Sequence, residues 1–598
     1  MSRRISNAFS QPPDWEMDEP PSAPTSPLPS PSSSVPKSAQ SRPKPPQPKQ
    51  TSQTYQQPLV VIIGGGISGL ITASDLLSSG HTNLLILEAR PRPGGRINTL
   101  SLKTANGVPY NADEGAAWIH GISEDNPMLE YVEEGNVNVV SPVNPWMHPS
   151  PTFPLFIGGR TPSQSSVLNG LRQFSILIYA VNMICKAGYG IDGTGMRFIS
   201  VKEALEVVRR EGKEELGLIK VKDMSGESRA VVRFLVHMLE LWMGGSLGDL
   251  QVEEFGGLRD EGWGELPAEP SFEEYRNVKK KHRPKLYGDF DGPHGTVKGG
   301  MGRIVEEVMR REPRLEEKLL LGNVVEEIDY SFEESENILV KVKGGETYDA
   351  ALVVNTMPLG CLKNGTVEFR PRLPNWKTEG FKNLKCGKYK KILLEFEEIF
   401  WPVDQEIIGL VRITSPVKTK LEKNRIIDIG DKLFLDNLWV KDGIPVIEAV
   451  LVGDSARNCE GRSDKDIIRC VLELMKMNMQ PELKFGKFVN GHVSRWEEDE
   501  FSLGAYSYFG LGATERDIDA LRKRIGKGKK GILWAGEATN SEYQGSVHGA
   551  IISGHEAAKE CQGLIEGEDF IRVDDDAEEK RFWGEFCKEE EVEEEDEL

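Results

Sequence analysis

The chain has 598 residues, 38% hydrophobic and 28% charged, enough for a sizeable core and for roughly three to five domains at ~100–200 residues each. Its formal net charge of −20 argues against a general nucleic-acid binder and suits a cationic substrate. Seven cysteines stand singly, with no C-x-x-C pair and no metal-ligand cluster, which argues against a disulfide framework or a metal site and for a reducing compartment.

In chain order, residues 1–57 are rich in Pro, Ser, Gln and Lys and poor in large apolar side chains. Such a segment buries too little surface to offset its ordering entropy, so a disordered arm is expected. It lacks the apolar core of a signal peptide, and its basic SRPKPPQPK is either plain arm or an address for nuclear import. LVVIIGGGISGLITASDLL (59–77) approaches the length of a membrane span, but three consecutive glycines and Asp75 make it a strand, a turn and a helix. LLILEA (84–89) is a second strand, and residues 165–245 hold helical patterns such as RAVVRFLVHMLELWM (229–243). ILVKVKGG (338–345), DAALVVNT (349–356), KYKKILLEF (388–396) and PVIEAVLVG (445–453) read as strands.

The run KYKKILLEF carries two adjacent lysines. Successive strand residues face opposite sides, so Lys391 shares a face with Tyr389 and Leu393, and Lys390 with Ile392, Leu394 and Phe396. Alternation alone leaves open whether both reach water from a strand edge or one points into a site. GILWAG (531–536) is a further strand, followed by the helix HGAIISGHEAAKEC (548–561). From Glu566 the chain is a solvated acidic tail, and its final EDEL is read as the end of that tail rather than a retention signal.

VVIIGGGISGL sets Gly64, Gly66 and Gly69 in G-x-G-x-x-G spacing between an apolar strand and a helix. The first glycine permits the tight turn, the second lets backbone approach a pyrophosphate, and the third allows close helix–strand packing. Free N–H groups at the helix start, at Ile67 and Ser68, hold phosphate oxygens. Glu88, followed by Ala89, ends the next strand where a ribose hydroxyl needs an acceptor. LEARPRPGGRINTL (87–100) continues into Arg90, a Gly94–Gly95 turn and Arg96, where an arginine can neutralise a pyrophosphate.

These motifs resemble the flavin-containing amine oxidases, the group of monoamine oxidases, polyamine oxidases and lysine-specific histone demethylases, and the resemblance spans most of 58–560. DEGAAWIHG (113–121), with Ala116, Ala117 and Trp118, is similar to the segment lying along the flavin in polyamine oxidases. TVKGGMGRIVEEV (296–308) and LGNVVEEIDY (321–330) resemble the return to the cofactor domain, with Val325 at the adenine. ALVVNTMPLGCLK (351–363) is similar to the strand and turn that follow. WAGEATNSEYQGSVHGAIISG (534–554) resembles the closing flavin motif, with Glu537 near the ribityl–phosphate region and Ser546 and Val547 near the ring.

The resemblance implies an α/β protein: a Rossmann-like FAD-binding domain interleaved with a substrate domain of mixed sheet flanked by helices. The expected division is FAD-binding 58–142, 291–356 and 501–565, and substrate domain 143–290 and 357–500, with the arm 1–57 and the tail 566–598 outside. It also implies oxidation of the carbon beside an amine nitrogen, imine hydrolysis, and O2 reoxidation giving H2O2. The family's lysine that holds a water near the flavin falls on Lys391, leaving Lys390 as an outward neighbour whose loss should matter little. In VSRWEEDEFSLGAYSYFGLG (493–512), Trp496 resembles a residue near the ring and Tyr506 one wall of an aromatic cage around the amine.

Ala505 stands where monoamine oxidases carry the cysteine that attaches flavin, so non-covalent FAD is implied. Ser546 replaces the second aromatic wall, which is similar to animal polyamine oxidases and to the demethylases. His120 is expected to hydrogen-bond a substrate amine. Glu124 and Asp125 are near it in sequence but carry no assignment.

Polyamines are therefore the expected substrates, with O2 as co-substrate, no nucleic acid and no membrane span. Protein partners are expected through the disordered termini, and the cytoplasm is the expected compartment, with the nucleus as the alternative. A lysine-specific demethylase is the alternative enzyme, although the accessory helical domain and coiled-coil insertion of that subgroup are not recognised. A catalytically silent FAD-binding interaction protein is the reading of another class.

Overall fold

The computed structural model describes residues 57–123, 125–134, 139–140, 155–187, 200–211, 223–251, 294–333, 335–412, 427–479 and 483–567. The expected arm through residue 56, Glu124 and the tail from residue 568 lie outside the described residues. No described helix is long and apolar enough to cross a membrane.

The glycine motif sits in a six-stranded sheet ordered Ile525–Lys527, Lys530–Trp534, Leu352–Asn355, Val60–Ile63, Leu84–Glu88, Leu319–Leu321. All neighbours pair in parallel except the first two. The chain leaves this sheet after Glu88, returns at Leu319, leaves again after Asn355 and returns at Ile525. Parallel strands buried on both faces read as continuous apolar runs, and VVII shows why. Val60 and Ile62 pack on Leu70, Ile71, Ile551 and Ala558 of the helices Ile67–Ser78 and Val547–Glu566. Val61 and Ile63 pack instead with Val325, Ile328 and Val340 of a four-stranded sheet on the opposite face.

DAALVVNT, expected as one strand, is two. Thr347–Ala350 closes the four-stranded sheet and Leu352–Asn355 enters the parallel one. Ala351 turns the chain between them, its N–H donating to the Leu59 carbonyl at 2.9 Å. A run of apolar residues carries no mark of which sheet each half will join.

A second six-stranded sheet runs Phe488–Val493, Tyr389–Phe396, Val446–Val452, Lys432–Asn437, Ile407–Val411, Leu155–Ile157, antiparallel except for its last pair. Ile392, Leu394 and Phe396 pack on the helix Asp464–Asn478, which Ser463 caps by accepting the Asp466 N–H. The other face packs on the helices Gln164–Ala187 and Gly226–Met243. The latter is capped by Ser225 and ended by Gly244 at φ 71°, a conformation glycine adopts without strain.

Candidate active site

One cavity of about 1420 Å³ runs from the glycine turn of the parallel sheet to the helix-covered face of the mixed sheet. At the first end Gly64 takes φ 106°. A Cβ on Gly69 would lie 2.1 Å from the Gly64 carbonyl oxygen, so the helix can approach the turn only with glycine there. A Cβ on Gly66, by contrast, would meet nothing within 4 Å and would project into the cavity. Gly66 caps the helix Ile67–Ser78 without any side-chain hydrogen bond, which leaves the first-turn N–H groups without a side-chain acceptor. Glu88 accepts the Gly65 N–H at 2.6 Å and the Arg90 N–H at 2.8 Å, and burial raises its carboxyl above the ordinary value. An open glycine, a bare helix start and an adjacent carboxyl fit the pyrophosphate and ribose of a dinucleotide.

Gly66→Val should block that seat while leaving the fold intact, because the added Cβ meets no protein atom within 4 Å. The purified variant is expected to be colourless, with flavin retention weaker by about a hundredfold. Full flavin content, read from the visible spectrum against protein mass, would contradict this.

Of the residues assigned to the site from the sequence, all but Gly69 line this cavity: Gly64, Gly66, Ile67, Ser68, Glu88, Ala89, Arg90, Gly95 and Arg96, then Ala116, Ala117, Trp118, His120, Val325, Lys391, Trp496, Tyr506, Glu537, Ser546 and Val547. Gly69 lies behind it, where its packing role places it. The two arginines arrive with partners. Arg90 grips Asp499 through both carboxylate oxygens, at 2.6 and 2.7 Å. Arg96 bonds Glu537 at 2.8 Å and the Ala505 carbonyl at 2.7 Å, and Glu537 also accepts from Ser507 and the Gly545 N–H. The Trp496 indole donates to the Glu114 carbonyl at 3.0 Å.

The two lysines part company, and the expectation for Lys390 is corrected. Lys391 lines the cavity, donates to the Asp113 carbonyl at 2.8 Å and lies 3.4 Å from Glu448. Lys390 is not an outward neighbour: it is fully buried, with Nζ 2.8 Å from Glu497, whose side chain is also 0% exposed. The opposite face of this strand is core rather than solvent, so a lysine there persists only with a carboxylate delivered to it.

Tyr506 donates to the Leu241 carbonyl at 3.0 Å, and the ring beside it is Tyr389, with centroids 6.0 Å apart and planes at 52°. Tyr389 lines the same cavity and was legible from strand parity, since it shares the face of Lys391, yet nothing in the sequence marked it as half of an aromatic pair. The Ser546 hydroxyl is engaged in capping the helix Val547–Glu566, accepting the Gly549 N–H and donating to Tyr543. Burial holds the His120 imidazole down at about 4, so it is neutral at pH 7, and it meets His294 edge-on at 5.2 Å. His294 was missed because no motif surrounds it.

A family model described as flavin containing amine oxidoreductase matches residues 67–562. Polyamine oxidase 2 of Arabidopsis thaliana is 28% identical over 514 residues, 85% of this chain and 88% of that protein. Lysine-specific histone demethylase 1 homolog 1 of Arabidopsis thaliana is 27% identical over 501 residues, 83% of this chain but 51% of its own length, so this chain spans about half of that relative. A solved structure of putrescine oxidase bound to putrescine superposes with a TM-score of 0.59 over 85% of this chain and 99% of that one. At 16% identity it speaks for the fold alone.

Proposed function

This chain belongs to the flavin-containing amine oxidoreductases and uses FAD, and from that premise we propose that it oxidises polyamine-type substrates at the carbon next to nitrogen. The observation that carries the reading is that Lys391 and the Tyr389–Tyr506 pair face the same cavity that the glycine turn opens at its other end. When bound, FAD supplies the two-electron acceptor, and O2 restores it with release of H2O2.

In this reading the helix start at Ile67 and Ser68 holds the pyrophosphate, Glu88 the ribose, and Val325 the adenine. Ala116, Ala117, Trp118, Trp496 and Val547 bound the flavin, which stays non-covalent with Ala505 in place of a cysteine. The Tyr389 and Tyr506 rings attract the incoming ammonium and guide it. Phe174, Ile178, Leu235, Leu239, Ile407 and Phe434 form an apolar wing suited to methylene segments. Expelling water there favours the neutral amine, the form that is oxidised. Neutral His120 accepts a hydrogen bond from a substrate nitrogen, and Lys391 holds the water that hydrolyses the imine.

A demethylase-type activity on methylated lysine is the second reading, favoured by the 27% identity to the demethylase homologue over 83% of this chain. Anaerobic addition of spermine, spermidine, their N-acetyl forms, a methylated histone peptide and simple monoamines separates the two. Bleaching of the flavin by polyamines is the expected result. Bleaching by the peptide alone would transfer the assignment to the demethylase reading, and no bleaching by any amine would reduce the chain to a silent FAD-binding protein acting through partners.

A further inference from the structure

Lys391 does not stand alone on the cavity floor. The antiparallel register sets Val450 opposite Lys391, Glu448 opposite Leu393, and, one strand further, Asp436 opposite Glu448. Directly opposed residues in a ladder share a face. Lys391, Glu448 and Asp436 therefore rise together on the side of the sheet that bounds the cavity, although neither carboxyl reaches the cavity wall itself. The Lys391 ammonium lies 3.4 Å from Glu448 Oε1, and both side chains are only 10% exposed.

Other charged groups surround these three. Asp113 approaches from the strand Pro109–Asp113, Lys441 and Asp442 from the short helix Leu438–Asp442, and Glu406 from the residue ahead of Ile407–Val411. On the lysine's own face, Glu395 accepts the Ala105 N–H at 2.6 Å, His492, opposite Leu393, bonds Glu114 at 2.8 Å, and burial pushes the Tyr389 phenol well up, so it stays neutral. Two carboxylates against one ammonium would leave a buried excess of negative charge. Like charges on adjacent buried sites do not both ionise readily. Burial first, then repulsion from Asp436, push the Glu448 carboxyl up to about 7 against the pull of Lys391; burial raises Asp436 as well.

We propose that Glu448 and Asp436 form a carboxyl pair that retains one shared proton and positions the Lys391 ammonium at the cavity floor. Both are positioning residues, acting through Lys391. While the proton is held, one carboxylate balances the ammonium and the floor is neutral. When it leaves, one O–H bond breaks, the proton passes to solvent, and the floor gains one negative charge. That charge stabilises the ammonium form of an entering amine over the free amine. This deepens the amine-oxidase reading and rests on Lys391 facing the substrate.

The test uses FAD-loaded protein in a Glu406→Gln background, which removes a neighbouring carboxyl that burial also raises to about 7. Infrared difference spectra on either side of pH 7 should show one protonated-carboxyl band lost as the pH rises. Glu448→Gln and Asp436→Asn should each abolish it, because the remaining carboxyl, relieved of its like-charged neighbour and close to Lys391, ionises. A band still titrating near neutrality in either variant would overturn the shared proton. Should one variant lose FAD, the other carries the test alone, since each must abolish the band.

Anaerobic flavin reduction should show a one-proton break near pH 7 that stays in place when the amine is exchanged for one of different pKa. Both variants should lose that break; its persistence in either would overturn the link to Lys391. The infrared measurement needs no substrate, so failure of the amine-oxidase reading leaves a distinct signature: an intact band without amine-dependent bleaching.

Discussion

Replacing Lys390 by methionine is expected to destabilise the protein by about 3–5 kcal/mol, the range for breaking a buried ion pair by removing one partner. Lys390 and Glu497 are both fully enclosed, 2.8 Å apart, and Glu497 also accepts the Tyr389 N–H. Without the ammonium, a carboxylate remains in the core with one backbone donor and no counter-charge. Against a typical total stability of ~5–15 kcal/mol, such a loss is a large fraction of the whole. Denaturant unfolding followed by tryptophan fluorescence measures it, and Lys390→Met combined with Glu497→Leu should recover much of the loss, because the stranded charge is gone. Strand alternation combined with the family register predicts the opposite, a near-silent substitution. A single variant within about 0.5 kcal/mol of wild type would restore that view.

Lys391→Met is expected to act on chemistry instead. Flavin reduction by amine, or reoxidation by O2, should slow by about 10²–10⁴-fold, the range for removing a group that positions or transfers protons at the reacting centre. The stability change should be smaller than for Lys390, since Glu448, already raised to about 7 from an ordinary 4.5, protonates when its partner goes. The sign follows from linkage. A carboxyl whose folded pKa lies above its unfolded value adds stability at low pH that is lost as pH rises through the folded pKa. The variant should therefore be most stable below about pH 4.5 and lose stability as the pH rises from there through neutrality. Stopped-flow measurement of both half-reactions decides the catalytic part; unchanged rates in both would remove Lys391 from the mechanism.

The glycine-turn end of the cavity was largely legible because its logic is local. Glycine spacing dictates turn geometry, and an apolar strand before it with an acidic residue ending the next strand completes a unit within thirty or so residues. The helix read at 548–561 was equally plain, whereas the capping by Ser546 that starts it at Val547 came from the structure. What escaped lies in pairings between distant segments. DAALVVNT divides between two sheets, His294 meets His120 edge-on, and Arg90 and Arg96 are met by Asp499 and Glu537.

The paired lysines mark the boundary most clearly. Sequence by itself determined that they face opposite sides of one strand, because side-chain direction in a strand has period two whatever surrounds it. It also determined, through the glycine spacing, a turn and a bare helix start that fit a nucleotide-type cofactor. Only the tertiary structure decided what each face meets: Glu497 in the core for Lys390, and for Lys391 a cavity backed by Glu448 and Asp436. Burial and charge compensation depend on which distant strand supplies the neighbour, and that register is a property of the whole sheet rather than of any one run of residues.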